Sequence, residues 1–312
     1  MSRKKFDLRL ANISSEIWSK IAKIDELKGQ WAGGTKLNPQ ALFRLKKSVL
    51  VTSTGASTRI EGSTLTDEEV EALIKNIKIE KFLDRNSQEV KGYYELLENV
   101  FNSWESIKFS ENTIKHFHKK LLEYVDKDER HRGEYKKIEN RVEIINEKGK
   151  RIGIVFETTP AFLTPKEMQE LVDWTKKTIK EKKYHPLLII ANFIVEFLKI
   201  HPFQDGNGRI SRILSNLLLL KENYLYMPYI SLEKLVEDNK NTYYLALRKS
   251  QKNIDSKKED ISPWLNFFFD LLLEQARRAT VLFENENIEK VLSLKQIAVW
   301  QYFQEITEVT PK

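Results

Sequence analysis

Hydrophobic positions recur at helical spacing along most of this chain, with polar and charged residues filling the intervening faces. That periodicity predicts helices at Ser14–Leu27, Pro39–Glu61, Thr66–Asn76, Arg85–Asn102, Glu111–Tyr124, Pro165–Lys180, Pro186–Ile200, Gly208–Glu222, Leu232–Ser250 and Ser262–Glu284. The pattern breaks over Gly133–Pro160. There Arg141–Ile145 and Arg151–Phe156 flank an Asn-Glu-Lys-Gly stretch and read as a β-hairpin over 141–157. A lone hairpin in a helical chain is marginal unless it docks on something. The expected fold class is all-α, mainly helical, with one β-hairpin.

Composition excludes more than it identifies. With 312 residues the chain can hold one large or two modest cores. Its 52 basic and 45 acidic residues leave a net charge of +7, scattered in Lys-Glu mixtures such as Lys180–Lys183. Such mixtures read as solvated helix faces, not as a nucleic-acid stripe. The absence of cysteine excludes disulfides and thiolate chemistry, and the five histidines are dispersed without zinc-ligand spacing. No secretory signal is visible at the N-terminus. The longest apolar run, Leu187–Leu198, contains Asn192 and Glu196 and falls short of a membrane span. A cytoplasmic protein with no membrane partner is expected.

The chemistry concentrates in the nine residues His201-Pro-Phe-Gln-Asp-Gly-Asn-Gly-Arg209, between two apolar helices. Pro202 disfavours helical geometry at His201, so the helix should end there and present the imidazole at its lip. An imidazole suits proton abstraction near neutrality. Asp205 is a hard oxygen ligand of the kind Mg²⁺ takes one or two of, filling its shell with phosphate oxygens and water. Gly206 and Gly208 permit unusual backbone conformations in which consecutive N–H groups converge on an anion. The following helix adds its positive dipole end. Arg209 and Arg212 are three apart and can both reach one polyphosphate. The spacing is not that of a Walker A loop.

His201 through Arg212 resembles the signature of the Fic family, His-Pro-Phe-x-Asp/Glu-Gly-Asn-Gly-Arg-x-x-Arg, at every fixed position. The resemblance implies a mainly helical Fic fold and an enzyme that moves AMP from ATP to a Ser, Thr or Tyr hydroxyl of a protein, releasing pyrophosphate. It makes His201 the general base and Asp205 the ligand of Mg²⁺ (or Mn²⁺). Gly206, Asn207 and Gly208, with the adjoining Ile210 and Ser211, form the ATP cradle, and Arg209 and Arg212 clamp the β- and γ-phosphates. Partners are then ATP and a protein substrate, with self-modification.

Upstream, Ser57-Thr-Arg-Ile-Glu61-Gly62 resembles the family's inhibitory motif, Ser/Thr-x-x-x-Glu-Gly/Asn. Ser57 and Glu61 are four apart and share a helix face, with Gly62 at the C-terminal cap. The preceding run, Val51 to Thr58, is small and hydroxyl-rich, and makes a helix only if packed closely. The resemblance implies that Glu61 pairs with Arg212 and holds ATP in an unproductive pose. The chain then divides into an N-terminal helical region, 1–105, carrying the inhibitory helix 39–62; a catalytic core, 106–275, with the hairpin 141–157 as its flap; and a helical tail, 276–312.

Further expectations rest on the same resemblance. The flap strands, with Val142, Ile144, Ile154 and Phe156, pair with an extended target segment. Tyr243 and Tyr244 wall the adenine pocket, although adjacent helical residues point about 100° apart and only one can face a ligand well. Gln251 offers its amide to the base. Leu292–Phe303 resembles the opening of a winged helix, with too few residues after it for a whole module, and its aromatic residues suit an interface with a second copy of the chain. Transfer of UMP, phosphate or phosphocholine, removal of AMP, and a DNA-binding regulator are the alternative functions, with DNA binding weak or absent.

Overall fold

The computed structural model describes residues 2–33, 39–75, 84–145, 151–254, 256 and 258–284. Among them lie twelve α-helices and one strand pair: α1 (Ser2–Arg9), α2 (Ser15–Gly33), α3 (Pro39–Ile60), α4 (Asp67–Lys75), α5 (Arg85–Ser103), α6 (Glu111–Leu121), β1 (Arg141–Ile145), β2 (Arg151–Glu157), α7 (Thr164–Glu181), α8 (Pro186–Ile200), α9 (Asn207–Lys221), α10 (Leu232–Asp238), α11 (Lys240–Gln251) and α12 (Ser262–Glu284). Helices α5, α6, α8 and α10 start where a side chain satisfies one of their first N–H groups. Asp84 caps α5 by accepting from Ser87 N–H at 3.0 Å, and Ser110 caps α6 by accepting from Thr113 N–H at 3.1 Å.

The centre is α8, on which every residue from Leu187 to Ile200 is buried. It packs against α7, α9, α11 and α12, so its apolar surround leaves no polar face. Glu196 is fully buried there and is neutralised from outside the helix. Arg9 of α1 reaches it at 2.7 Å and Lys5 at 2.9 Å, and Arg9 also meets Glu259 at 2.6 Å. This ion cluster anchors α1, a helix too polar for its periodicity to announce.

Two boundaries differ from expectation for physical reasons. Helix α2 runs on past Leu27 because Trp31 is buried and stacks on Tyr229, with ring centroids 5.3 Å apart. The single helix expected over Leu232–Ser250 is two, broken at Asn239. That residue adopts φ −115°, ψ 26°, and ends α10 while opening α11. The strands β1 and β2 pair antiparallel, Arg141 opposite Glu157 and Val142 opposite Phe156. The connecting residues 146–150, the side chains of Val142, Ile144, Ile154 and Phe156, and the Leu292–Phe303 segment lie outside the described residues.

The hydroxyl-rich run of α3 is packed as closely as its composition requires. Ser53, Thr54, Gly55, Ala56, Ser57 and Thr58 are all buried between α5, α9 and α10. Thr54 and Thr58 donate to carbonyls one turn back, and Ser53 bonds Ser231 at 2.8 Å, so no hydroxyl among these three is left without a partner.

Candidate active site

The loop between α8 and α9 is built by its backbone. His201 ends α8 in the left-handed region, φ 52°, ψ 58°, with its N–H donating to Phe197 O at 2.9 Å. Its Nδ1 lies 3.2 Å from the carbonyl of Leu198. A carbonyl can only accept, so Nδ1 carries the proton and Nε2 is the nitrogen able to take another. Gly206 caps α9 at φ 77°, where a side chain would be strained.

Several residues stand differently from the sequence expectation. Gly208 is not conformationally special. It is helical, and what it provides is room, since a Cβ there would collide with the Glu61 carboxylate. Asn207 does not present its side chain to a phosphate. Its Oδ1 accepts from Phe203 N–H at 2.9 Å and its Nδ2 donates to Phe203 O at 2.8 Å, stapling the loop shut. Ile210 is a core residue, fully buried, and its N–H is committed to Gly206 O at 2.9 Å. Ser211 donates to Gly208 O at 2.7 Å.

The charges converge on the cradle. Arg212 is buried on α9. Its Nε donates to Ser57 Oγ at 2.8 Å, and its Nη2 donates to Ser57 O at 2.9 Å and to Glu61 Oε1 at 2.8 Å. Its Nη1 is buried without a hydrogen-bond partner and faces Gly208. Arg209 pairs with Glu89 at 2.7 Å and more loosely with Asp205 at 3.4 Å. Asp205 also accepts from Gly206 N–H at 2.6 Å and meets Arg85 at 2.5 Å. Burial pushes the Asp205 carboxyl up, but Arg209, the Gly206 N–H and Arg85 outweigh it and hold the group below the usual range.

Tyr243 is buried, with its phenol pushed up to about 12 by burial and drawn back by the neighbouring Arg212. Tyr244 packs on it with ring centroids 5.1 Å apart and is partly exposed. Gln251 is buried and faces inward, its Nε2 donating to Val195 O at 3.2 Å. Its Oε1 is buried and without a partner.

Sequence reading missed residues remote from the motif. His118 of α6 lies under the loop, stacked face to face on Phe203 at 3.9 Å. Gly133 N–H donates to its Nδ1 at 2.9 Å, so its Nε2–H donates to Asp205 O at 3.1 Å. Glu89 joins Arg85 and Arg209, and the Arg85–Glu89 pair at 2.7 Å is the only trace of it that spacing could have offered.

Burial lowers both loop imidazoles, His118 and His201, to about 4. Unfolded imidazoles take a proton near 6.5, so the folded chain gains stability from neutral rings that is complete above that pH. It is lost as pH falls from about 6.5 toward 4, by on the order of 3 kcal/mol for the fully buried His118 and less for His201, which is partly exposed. Urea midpoints should drop between about pH 7.5 and pH 4.5, and His118→Gln should flatten part of that slope. An unchanged midpoint would contradict the lowered values of the two rings.

Residues 108–219 match the family model described as Fic/DOC family. The chain carries a domain of that family. Among its relatives are a probable protein adenylyltransferase of Aquifex aeolicus, 27% identical over 160 residues, covering 46% of this chain and 49% of that protein. Protein adenylyltransferase Fic of Drosophila willistoni is 26% identical over 254 residues, covering 80% of this chain and 45% of that protein. The chain thus spans about half the length of these two relatives. A Fic family protein from Desulfovibrio desulfuricans has a similar structure, with a TM-score of 0.70 and 27% identity over 89% of this chain and 78% of that one. A Fic domain-containing signaling protein from Bacteroides thetaiotaomicron shares the fold, with a TM-score of 0.68 and 23% identity over 87% of this chain and 99% of that one.

Proposed function

We propose that this chain is a protein adenylyltransferase held in check by its own Glu61. It moves AMP from ATP to a protein hydroxyl and releases pyrophosphate. The observation that carries the reading is the pair Glu61–Arg212 at 2.8 Å, with the carboxylate lying over Gly208 in the anion cradle. A terminal phosphate would meet the same guanidinium, including its unpartnered Nη1, and the same helix N-terminus. Carboxylate and phosphate therefore compete for one place.

In the transfer, the hydroxyl oxygen bonds to the α-phosphorus while the bond from that phosphorus to the bridging oxygen breaks. His201 Nε2 takes the hydroxyl proton, and the charge gathering on pyrophosphate is met by Arg212, Arg209 and the α9 N-terminus. The donor set suits Mg²⁺, since one carboxylate, Asp205, stands half exposed beside the cradle and phosphate oxygens and water can complete the shell. Bound there, the ion would neutralise the leaving phosphates. Arg85 would have to withdraw from Asp205. The strands β1 and β2 serve as a flap, on whose edge an extended segment of the target adds as a further strand. Tyr243 and Tyr244 beside Arg212, and Oε1 of Gln251, form the side of the site left for the adenine.

Incubation with α-labelled ATP and Mg²⁺, followed by separation of the protein, should give label on the chain itself. Label from γ-labelled ATP alone, or from UTP in preference to ATP, would replace AMP transfer with another group. No label from any nucleotide, with Glu61→Gly also inactive, would sink the reading.

A further inference from the structure

Four consecutive carbonyls around His201 are held by two residues from outside its loop. Lys136 donates from Nζ to Ile200 O at 3.0 Å and from its backbone N–H to Pro202 O at 2.8 Å. Asn140 donates from Nδ2 to Phe203 O at 2.8 Å and, more weakly, to His201 O at 3.4 Å. Both residues belong to the stretch leading into β1. The second strand is tied in at the same end of the pair, because Thr158 follows β2 and donates to Asn140 O at 2.7 Å. The Lys136 ammonium, 4% exposed, completes the unit by donating to Asn140 Oδ1 at 2.8 Å and Thr158 Oγ1 at 2.9 Å.

We infer that Lys136, with Asn140 and Thr158, is a clamp that roots the β1–β2 strands on the His201 loop and holds the imidazole in its left-handed pose. Three ammonium protons meet three oxygens, and an apolar residue at 136 removes the side-chain donor from Ile200 O and leaves Asn140 Oδ1 only the Thr158 hydroxyl, 2.8 Å away. One of them, Ile200 O, ends α8, where a cation also complements the helix dipole. Left-handed backbone at a non-glycine residue is costly and persists only where its surroundings over-determine it. These four carbonyl contacts supply that determination. The target would be presented by the strands and the proton removed by the ring, so a common root keeps hydroxyl and Nε2 in register. Burial lowers the Lys136 ammonium to about 8, with Glu139 and Glu167 opposing that shift and Lys199 adding to it, so the clamp remains largely charged at neutral pH.

The clamp rests on the reading of His201 as the base, and Lys136 acts through that ring as a positioning residue. Lys136→Met, made in the Glu61→Gly chain, should lower kcat for self-labelling by about 10- to 100-fold while ATP affinity by calorimetry changes less than about 3-fold. The ¹⁵N shifts of the His201 imidazole should move from a single Nδ1-protonated form to a mixture of tautomers. Thr158→Val, a milder change, should give the same split with a smaller drop if Lys136→Met fails to fold. Unchanged kcat with an unchanged tautomer would overturn the clamp, as would equal losses of kcat and ATP affinity. If the Glu61→Gly parent transfers nothing, the adenylyl-transfer reading fails, and the imidazole shifts still decide the clamp.

Discussion

Glu61→Gly should raise the initial rate of self-labelling by about 100-fold at fixed ATP and Mg²⁺. A hundredfold corresponds to ~2.7 kcal/mol. Arg212 is buried but the Glu61 side chain is 32% exposed, so the pair lies between a surface contact, worth about 0–1 kcal/mol, and a buried one, which costs roughly 3–5 kcal/mol to break, and the expected effect falls inside that range. The geometry explains why loss of the carboxylate should activate without damage. Arg212 keeps both Ser57 contacts, at 2.8 and 2.9 Å, so the guanidinium stays in place with Nη1 and Nη2 turned to the cradle. The end of α3 is independently fixed by Arg59, which meets Glu237 at 2.6 Å and Asp67 at 2.9 Å. Arg212→Ala should not activate, since it removes the partner of the switch and the anchor of the phosphate together. The double variant should behave like Arg212→Ala, a non-additivity that independent sites would not show. A rate for Glu61→Gly no higher than the parent's would make Glu61 an ordinary glutamate at a helix end.

What could be read from the sequence was whatever lay close together along it. The loop from His201 to Arg212 is contiguous, and Ser57 and Glu61 are one helical turn apart, so spacing alone places each set on one surface. The junction between the two sets is a tertiary fact, as is the burial of α3 that brings it about. Side-chain direction was equally hidden. Asn207 and Ile210 sit within the motif, yet one staples the loop and the other fills the core. The supports of the loop were out of reach, because His118 and Lys136 stand about 65 to 83 positions before His201 and are ordinary residues until the fold brings them under it. Helix α1 escaped for another reason. It is held by Arg9 on the buried Glu196, and an ion pair leaves no hydrophobic period. The break at Asn239 was hidden because the apolar spacing of Leu232–Ser250 continues across it.

His201→Ala, in the Glu61→Gly chain, should lower labelling by about 10²–10⁴-fold, the usual contribution of a positioned base. ATP affinity should stay within about 3-fold, because the ring acts on the hydroxyl and the phosphates are held elsewhere, by Arg212, Arg209 and the start of α9. Two features of the ring suit the role. The Leu198 carbonyl fixes the proton on Nδ1, and burial lowers the imidazole to about 4, so Nε2 keeps its lone pair at neutral pH. A value that low makes a weak base. The negative charge of a bound triphosphate favours the protonated ring and raises the value toward neutrality, so basicity improves when substrate arrives. The acid limb of kcat should accordingly lie at higher pH than the titration of the ring without ATP. Calorimetric ATP titration gives the affinity, labelling from about pH 5 to pH 8 gives the acid limb, and the imidazole ¹⁵N shifts without ATP, followed down to about pH 3, give the ring's own titration. Labelling by His201→Ala close to that of its Glu61→Gly parent would take the proton transfer away from this ring.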